Sequence, residues 1–145
     1  MFKFRLEPLI KIRKNTLQER QAELAQAYDA RNILEEYLQE IDRQLTEGTT
    51  TARNLMQEGQ TVNVEHLLGL RRQEMFLRAN QDDLKQKMQI IDEEIERRRD
   101  AVVEANKELK IVEKLKEKRH GKYLEEEKRR DTKEMDEIAG RQRPH

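Results

Sequence analysis

The 145-residue chain contains no cysteine and no tryptophan, and it has only two prolines and five glycines. Without cysteine it can form neither a disulfide framework nor a thiolate site, a composition typical of proteins in a reducing compartment. Because proline and glycine are scarce, there are few points at which a helix is forced to stop. The sequence therefore favours long uninterrupted helices.

Apolar side chains are scarce as well, since 34% of residues are hydrophobic and 4% aromatic, against 41% charged. This is too little for a two-layer globular core. Disordered chains commonly carry a high net charge, whereas here 30 basic and 30 acidic residues cancel and the apolar residues are periodic, so ordered helix is favoured over disorder. The absence of net charge also predicts no nucleic-acid partner and no direct lipid binding.

Long hydrophobic runs are missing too. No apolar run approaches the roughly 20 residues of a membrane span, and the opening MFKFRLEPLI is too charged and too short for a signal peptide. We therefore expect a cytoplasmic protein.

Motifs of catalysis are absent from the sequence. His66, His120 and His145 lie far apart, and none has the spacing that binds a metal. No glycine-rich phosphate loop occurs, and a two-helix protein offers the carboxylates no pocket that would exclude water. We expect no catalytic residue, no metal, no cofactor and no enzymatic activity.

Apolar residues recur every seven positions in both halves of the chain, as in coiled coils. Each half carries two such rows, offset by four residues. In the first half the rows are Ile10, Leu17, Leu24, Arg31, Leu38 and Leu45, and Leu6, Ala27, Leu34 and Ile41. In the second half they are Leu70, Leu77, Leu84, Ile91, Arg98, Ala105 and Val112, and Met88, Ile95, Val102 and Leu109. Two amphipathic helices are predicted, each with one narrow apolar side.

The rows of the two halves mirror each other. If the chain folds back so that paired residue numbers add to about 122, the rows of one half lie opposite the rows of the other. Leu45 then faces Leu77, and Ile10 faces Val112. The predicted fold class is all-α, a long antiparallel two-helix coiled coil (a helical hairpin) in which the C-terminal helix overhangs the first.

Two row positions hold arginine. In the mirrored register Arg31 lies opposite Ile91, and Arg98 lies opposite Leu24. Both arginines are therefore predicted to be buried, in separate layers, so that neither meets the other.

Helix-breaking residues place the ends of the helices. Pro8 favours a start near it, Gly48 predicts a local irregularity, and Asn63 can cap a second helix. We expect a single hairpin over 1–145, with helix 1 at about 8–58, the turn at about 59–63, helix 2 at about 64–138 and a tail at 139–145.

The same register leaves the chain from Lys122 onward without a partner in the first helix. Its apolar side chains are few, so this overhang either frays in isolation or docks onto another protein. We favour docking.

Two further features could carry recognition. Met75 and Phe76 flank the row residue Leu77, and only one of three consecutive residues can face a two-helix seam. Both are predicted to be largely exposed, and Phe76 is a docking candidate; the alternative is that Phe76 folds over the seam edge onto the Leu45 layer.

The second feature is a basic stripe along helix 2, in which lysines recur at steps of three and four. Its members are Lys107, Lys110, Lys114, Lys118 and Lys122, with Lys116 and Arg119 beside it. The favoured interpretation is a solvated face partly neutralised by Glu113 and Glu117. An acidic partner surface is the next, and nucleic acid is disfavoured because no aromatic residue interleaves the lysines.

Both ends of the chain resemble a known family. The opening F-x-F-R-L-x-P-L, at Phe2 to Leu9, and the closing K-E-M-D-E-I-A, at Lys133 to Ala139, are similar to the two ends of the FliJ family of flagellar type III export proteins and related injectisome stalk proteins. A helical hairpin with a longer second helix is a third similar feature. The resemblance covers nearly the whole chain.

This resemblance implies a non-enzymatic stalk. Members of the family form a hairpin similar to the central stalk of rotary ATP synthases. Its open end enters the hexameric export ATPase ring and promotes its activity. They also contact the export gate membrane protein and bind export chaperones, which implies a cytoplasmic protein peripherally associated with the inner-membrane export apparatus and monomeric in isolation. The alternative is a homodimeric coiled-coil scaffold with no role in export.

By position, the resemblance also assigns two sets of contact residues. The ATPase-facing residues would be Leu6, Leu9, Tyr123, Leu124, Met135, Asp136, Glu137 and Ile138. The gate-facing residues would be Tyr37, Ile41, Leu45, Phe76 and Leu77.

Overall fold

The structure is a computed structural model that describes residues 1–57, 61 and 63–142. Its regular elements are two helices, α1 at Glu7–Leu55 and α2 at Val64–Gln142. The two long helices pack against each other, which confirms the predicted all-α helical hairpin.

Local sequence explains where each helix begins. α1 begins at Glu7, so Pro8 lies in the first turn, where a missing N–H removes no helical hydrogen bond. Asn63 caps α2: its side-chain Oδ1 accepts a hydrogen bond from the His66 N–H at 3.2 Å, and its carbonyl accepts one from the Leu67 N–H at 3.1 Å. This is the N-cap that the sequence predicts.

The C-terminal ends of both helices lie at other residues than the sequence predicts. α1 ends at Leu55, before the predicted end near Glu58, and residues 58–60 and 62, which hold most of the predicted turn, lie outside the described residues. α2 continues past Ile138 and through Gly140 to Gln142. The predicted end at Ile138 is therefore corrected: one glycine weakens a helix by only about 1 kcal/mol and does not terminate it. Residues 143–145 of the predicted tail are outside the described residues.

The expected irregularity at Gly48 is absent, because α1 runs through this position without a break. Threonines that could disfavour the helix here hydrogen-bond to it instead. The hydroxyls of Thr46, Thr49 and Thr50 each donate to the carbonyl four residues earlier, at 2.9, 3.0 and 3.1 Å. Their polar groups are thereby satisfied within the helical conformation.

The chain forms two compact units, each with a segment of both helices. The first unit comprises Met1–Gln21 with the chain from Ala101 onward, and the second comprises Ala22–Asp100. The predicted rows supply almost the whole core of each, since eight of the nine buried side chains among the described residues belong to them: Ile10, Ala27, Ile41, Leu77, Ile95, Ala105, Leu109 and Val112. Phe4 is the ninth.

Polar contacts between the helices report the register inside each unit. They join Arg13 with Glu108 in the first unit, and Arg31 with Asp92 and Gln81 with Asp42 in the second, at 2.9, 2.8 and 2.8 Å. The paired residue numbers add to 121, 123 and 123, against the 122 that the sequence predicts. A second pair in the first unit, Glu7 with Lys116, adds to 123. Because the sums stay nearly constant, the two helix segments are antiparallel within each unit. Exposed ion pairs of this kind add little stability, so they mark the register while the apolar rows maintain it.

The two row arginines are not buried, which corrects the sequence-based expectation. Both side chains are half-exposed. Arg31 reaches Asp92, whereas Arg98 bonds to Glu94 Oε1 at 2.8 Å and to the main-chain carbonyl of Glu23. Each arginine lays its aliphatic stem over the seam and carries the guanidinium to the edge, where charged and carbonyl oxygens accept its hydrogen bonds.

The antiparallel register predicts a specific crosslink. Cysteines introduced by Leu24→Cys and Arg98→Cys should form an intramolecular disulfide, because Arg98 bonds to the residue that precedes Leu24. Non-reducing electrophoresis and mass spectrometry should find the product at the monomer mass of 17.5 kDa. The control pair, Leu24→Cys with Leu84→Cys, is displaced by about 21 Å along the helix and should remain reduced. Bridging only between separate chains would instead indicate the dimeric scaffold.

Three glutamates of the second unit, Glu40, Glu74 and Glu94, accept hydrogen bonds from neighbouring arginines. Hydrogen bonds from Arg43 and Gln44 lower the pKa of Glu40 to about 2. Hydrogen bonds from Arg78 and Arg71 lower the pKa of Glu74, and those from Arg97 and Arg98 lower the pKa of Glu94. Each carboxylate is therefore favoured in its charged form by the fold.

Acid should weaken the second unit in a defined direction. Because these three pKa values lie below those of the unfolded chain, their contribution to stability is present above a pH of about 4.5 and is lost as the pH falls through the lowered values. The combined variant Glu40→Gln, Glu74→Gln and Glu94→Gln should lose less of its melting temperature over this range, measured by circular dichroism. The matched control Glu36→Gln, Glu104→Gln and Glu134→Gln, at exposed glutamates with no ion pair in the described chain, should keep the steeper dependence. Equal slopes would contradict the assignment.

Candidate partner-binding surfaces

The grooves on the described residues are open and lie on the helix surfaces. In the part of the chain that the structure describes, no three His, Cys, Asp or Glu side chains come together to hold a metal ion. His66 and His120 are exposed, and His145 lies outside the described residues. The informative surfaces are those where apolar side chains remain exposed.

At the open end of the hairpin, an aromatic group closes the seam of the first unit. Phe4 is buried in one cluster with Ile10, Leu109 and Val112. Phe2 packs beside it: its ring centroid lies 4.8 Å from that of His120, in an edge-on arrangement, and 5.5 Å from that of Tyr123. Such ring pairs add to the free energy gained by apolar burial.

Three of the predicted ATPase-facing residues belong to this closure. Leu6 and Leu9 are half-buried and pack against the Phe4 cluster. Tyr123 is half-buried under Phe2, and its hydroxyl lies 3.5 Å from Glu127 Oε1. These residues hold the end of the hairpin together and leave little of their own apolar surface for a partner.

The other five predicted ATPase-facing residues lie on an exposed helix. All residues from Leu124 to Arg141 are exposed, and α2 remains helical throughout this segment, hereafter the tail. The exposed fractions of its large apolar side chains are 50% for Leu124, 73% for Met135 and 54% for Ile138. Helical geometry places these three within about 60° of one another around the axis, whereas Asp136 and Glu137 lie roughly 130° away, on the other side of the helix.

The predicted gate-facing residues separate into core and surface. Ile41 and Leu77 are buried and Leu45 is half-buried, so all three belong to the seam. Tyr37 is exposed, and Phe76 exposes 65% of its surface. This exposure confirms the prediction for Phe76 and shows that the alternative, in which it folds onto the Leu45 layer, is wrong.

Near the turn end of the second unit the seam opens into a groove with a volume of about 410 Å³. On its α1 side the groove includes Gly48 and Ala52, and an added Cβ at Gly48 would meet no atom within 4 Å. Its walls are mostly apolar and its rim is charged. They comprise Gln44, Leu45, Gly48, Thr49, Ala52, Arg53, Met56, Leu67, Leu70, Arg71, Gln73, Glu74 and Leu77.

Comparison with known proteins bears on these surfaces. The model of the family described as Flagellar FliJ protein matches residues 2–143, which is nearly the whole chain. The chain belongs to the FliJ family. No curated protein and no solved structure gives a significant match.

Membership in the FliJ family makes the chain a component of the flagellar export apparatus. In the described residues, neither helix contains a stretch that is both long enough and apolar enough to cross a membrane.

The sequence did not reveal the aromatic closure of this FliJ-family chain. The heptad pattern assigns no packing role to Phe2, Phe4 or His120. The available signal was the spacing of the two phenylalanines: residues two apart in a non-helical segment point to the same side of the chain. Arg119, whose guanidinium carbon lies 5.7 Å from the Phe4 ring centroid, completes the group.

Truncation of the adjacent residues Leu77 and Phe76 should change the free energy of unfolding by very different amounts. Leu77→Ala removes a side chain that is only 7% exposed and should reduce the free energy of unfolding by about 2 kcal/mol or more. Phe76→Ala, at an exposed position, should change it by about 0.5 kcal/mol at most. Denaturant titration followed by circular dichroism measures both. A large loss for Phe76→Ala would mean that its ring packs onto the seam after all.

Proposed function

We propose that this FliJ-family chain is a non-enzymatic, stalk-like component of the flagellar type III export apparatus. In this proposal the open end of the hairpin engages the hexameric export ATPase ring and promotes its activity. The surface near the turn contacts the export gate membrane protein, and export chaperones are further partners. Family membership supports the setting, and the exposed tail is the observation that carries the ATPase contact.

The tail needs a partner for physical reasons. An isolated helix of this length is marginally stable in water, and the ion pair that it contains, between Glu126 and Arg130 at 4.0 Å, is long and exposed. Leu124, Met135 and Ile138 lie on one side, in the arrangement by which an amphipathic helix enters an apolar groove. Docking would bury these side chains and, in the same step, stabilise the helix.

In this proposal the aromatic closure supports the tail. Leu6, Leu9 and Tyr123 fix the last layer of the seam, so α2 leaves the hairpin in a set direction. They contribute to ATPase binding by positioning the tail, and the five exposed residues Leu124, Met135, Asp136, Glu137 and Ile138 make the contact. A helix that continues directly from the ordered hairpin pays a smaller entropic cost on binding than a fully disordered segment.

The proposed gate-facing residues also divide into exposed contact residues and buried supporting residues. Tyr37 and Phe76 are exposed and available to a partner, whereas Ile41, Leu45 and Leu77 lie in the seam beneath. The groove beside Leu45 and Leu77 can accept an apolar side chain of the gate protein. Exposed aromatic side chains are frequent anchors of protein interfaces.

The proposed function of the chain is to couple conformational changes of the ATPase ring to the export gate. A single hairpin inside a ring of six identical subunits must contact them unequally, and unequal contacts shift the conformational equilibria of individual subunits. The ATPase and gate contacts assigned here lie in different units of one chain, so a binding change at one contact can be coupled to the other. The chain supplies no reacting group.

Stimulation of the cognate export ATPase tests the proposal. The variant Leu124→Ser, Met135→Ser and Ile138→Ser removes the apolar side of the tail. Loss of each apolar anchor costs roughly 1–2 kcal/mol of binding, so the concentration needed for half-maximal stimulation should rise by at least about a hundredfold. Circular dichroism should show an intact hairpin, because none of the three residues contributes to the seam.

The matched control changes the other surface. Tyr37→Ser with Phe76→Ser should retain ATPase stimulation while losing affinity for the purified cytoplasmic part of the gate protein. The tail variant should show the reverse pattern. Full stimulation by the tail variant would refute its role in ATPase binding.

A further inference from the structure

The lysine stripe predicted from the sequence forms a continuous exposed surface on α2. Its five members, Lys107, Lys110, Lys114, Lys118 and Lys122, are all exposed and all lie in the first unit. Around the helix axis they fall within a sector of roughly 120° that lies opposite Leu109 and Val112. Because those two residues face the core, the stripe runs along the outer side of the helix.

The stripe is not neutralised by its neighbours. None of its five ammonium groups forms an ion pair within 4.0 Å in residues 1–57, 61 and 63–142. Glu113 and Glu117, expected to neutralise it, stand three residues after Lys110 and Lys114 yet do not pair with them. Two lysines outside the stripe do form ion pairs: Lys116, on the opposite side of α2 where it faces α1, bonds to Glu7 at 2.8 Å, and Lys87 bonds to Asp83 at 3.2 Å.

This arrangement opposes helix stability. Lys110, Lys114, Lys118 and Lys122 follow one another at steps of four, and like charges at that spacing repel across each turn. A partner that supplied carboxylates along the same line would remove the repulsion and add attraction. The stripe therefore has more to gain from an acidic partner than a surface of mixed charge would have.

Exposed apolar side chains interleave the stripe. Val103 and Ile111 lie in the same sector, and both are more than half exposed. Aliphatic groups among the cations gain by contact with apolar groups of a protein, whereas nothing in the stripe can stack on a nucleobase. The chemistry of the surface thus favours a polypeptide.

The edges of the stripe restrict the shape of its partner. Glu113 and Glu117 lie along one edge, and Glu104 and Glu108 lie along the other. The phosphates of a wide nucleic-acid duplex would meet these carboxylates, while a single narrow element would contact only the lysines and aliphatic residues. A helix with carboxylates at steps of three and four presents them about every 5–6 Å, which matches the lysine spacing.

We infer that the outer side of α2 between Val103 and Lys122 is a docking surface for an acidic amphipathic helix of a partner protein, lying alongside α2. Its carboxylates pair with the five lysines, and its small apolar residues cover Val103 and Ile111. This surface ends at Lys122, before Tyr123 and the tail, and includes none of the residues assigned above to the ATPase and gate contacts, so its test does not depend on those contacts.

A synthetic helical peptide tests the inference with the full-length chain. The probe carries glutamates at steps of three and four with two leucines between them, and a peptide of the same composition in scrambled order is its control. Fluorescence anisotropy should show binding of the patterned peptide that weakens as salt is raised, because the contacts are exposed ion pairs. The scrambled peptide should bind about tenfold or more weakly.

Charge reversal locates the site. The variant Lys110→Glu, Lys114→Glu and Lys118→Glu should lose affinity for the acidic peptide by about tenfold or more. Its matched control, Lys11→Glu, Lys14→Glu and Lys85→Glu, makes the same change in net charge at exposed lysines outside the stripe and should lose less than about threefold. A peptide with lysines in place of the glutamates should bind the first variant and not the control, which shows that the reversed surface is folded.

Three results would overturn the inference. Equal losses in the two variants would mean that only net charge matters. Equal binding of patterned and scrambled peptides would show that no helix is recognised. Tighter binding of duplex DNA than of the patterned peptide would assign the stripe to nucleic acid instead.

Discussion

The structure depends on apolar packing in the seam between its two helices. The seam is narrow, so each of its layers holds only a few apolar side chains. Because apolar residues are so few, the described residues form no second apolar layer that could offset weak packing in the seam. The large buried side chains of each unit come from the heptad rows, with Phe4 as the single addition at the open end. The ion pairs that join the two helices, Arg13 with Glu108, Arg31 with Asp92 and Lys116 with Glu7, are exposed or half-exposed, so they mark the register and add little stability.

Because the seam uses most of the apolar residues, those that stay outside it are informative. Phe76 and Tyr37 are excluded from the core of the second unit by helical phase alone, and the tail is excluded because α1 has no residues left to pair with it. The FliJ family gives these surfaces a setting in flagellar export. Aromatic rings that are exposed and lie outside the seam are available to a partner.

The fold was predictable because it follows from one periodicity. Spacing of seven fixed which residues face inward, and its mirror symmetry fixed the pairing, so the register came within one residue number of the observed sums. Asn63 was predictable as a cap because its chemistry acts over three residues.

What the sequence did not reveal depends on side-chain reach or on nonlocal packing. A heptad position predicts where the Cβ of Arg31 or Arg98 points, but the guanidinium lies several bonds farther and moves to the seam edge. The closure by Phe2 arises outside any helix, where periodicity gives no information. Gly140 illustrates a local propensity that was too weak to end a helix already formed. The ATPase-facing and gate-facing residues were predicted from the resemblance to the FliJ family. Their burial in the structure separates those that support the seam from those that are exposed to a partner.

The near-constant sum of paired residue numbers also limits how such a chain can change in length during evolution. Inserting one residue into either helix would turn every later side chain by about 100° and remove it from its layer. Only gains or losses of whole heptads, matched on both arms, keep leucine opposite leucine. Hairpins of this kind should therefore lengthen or shorten in paired steps of seven, with irregular changes confined to the turn and the tail.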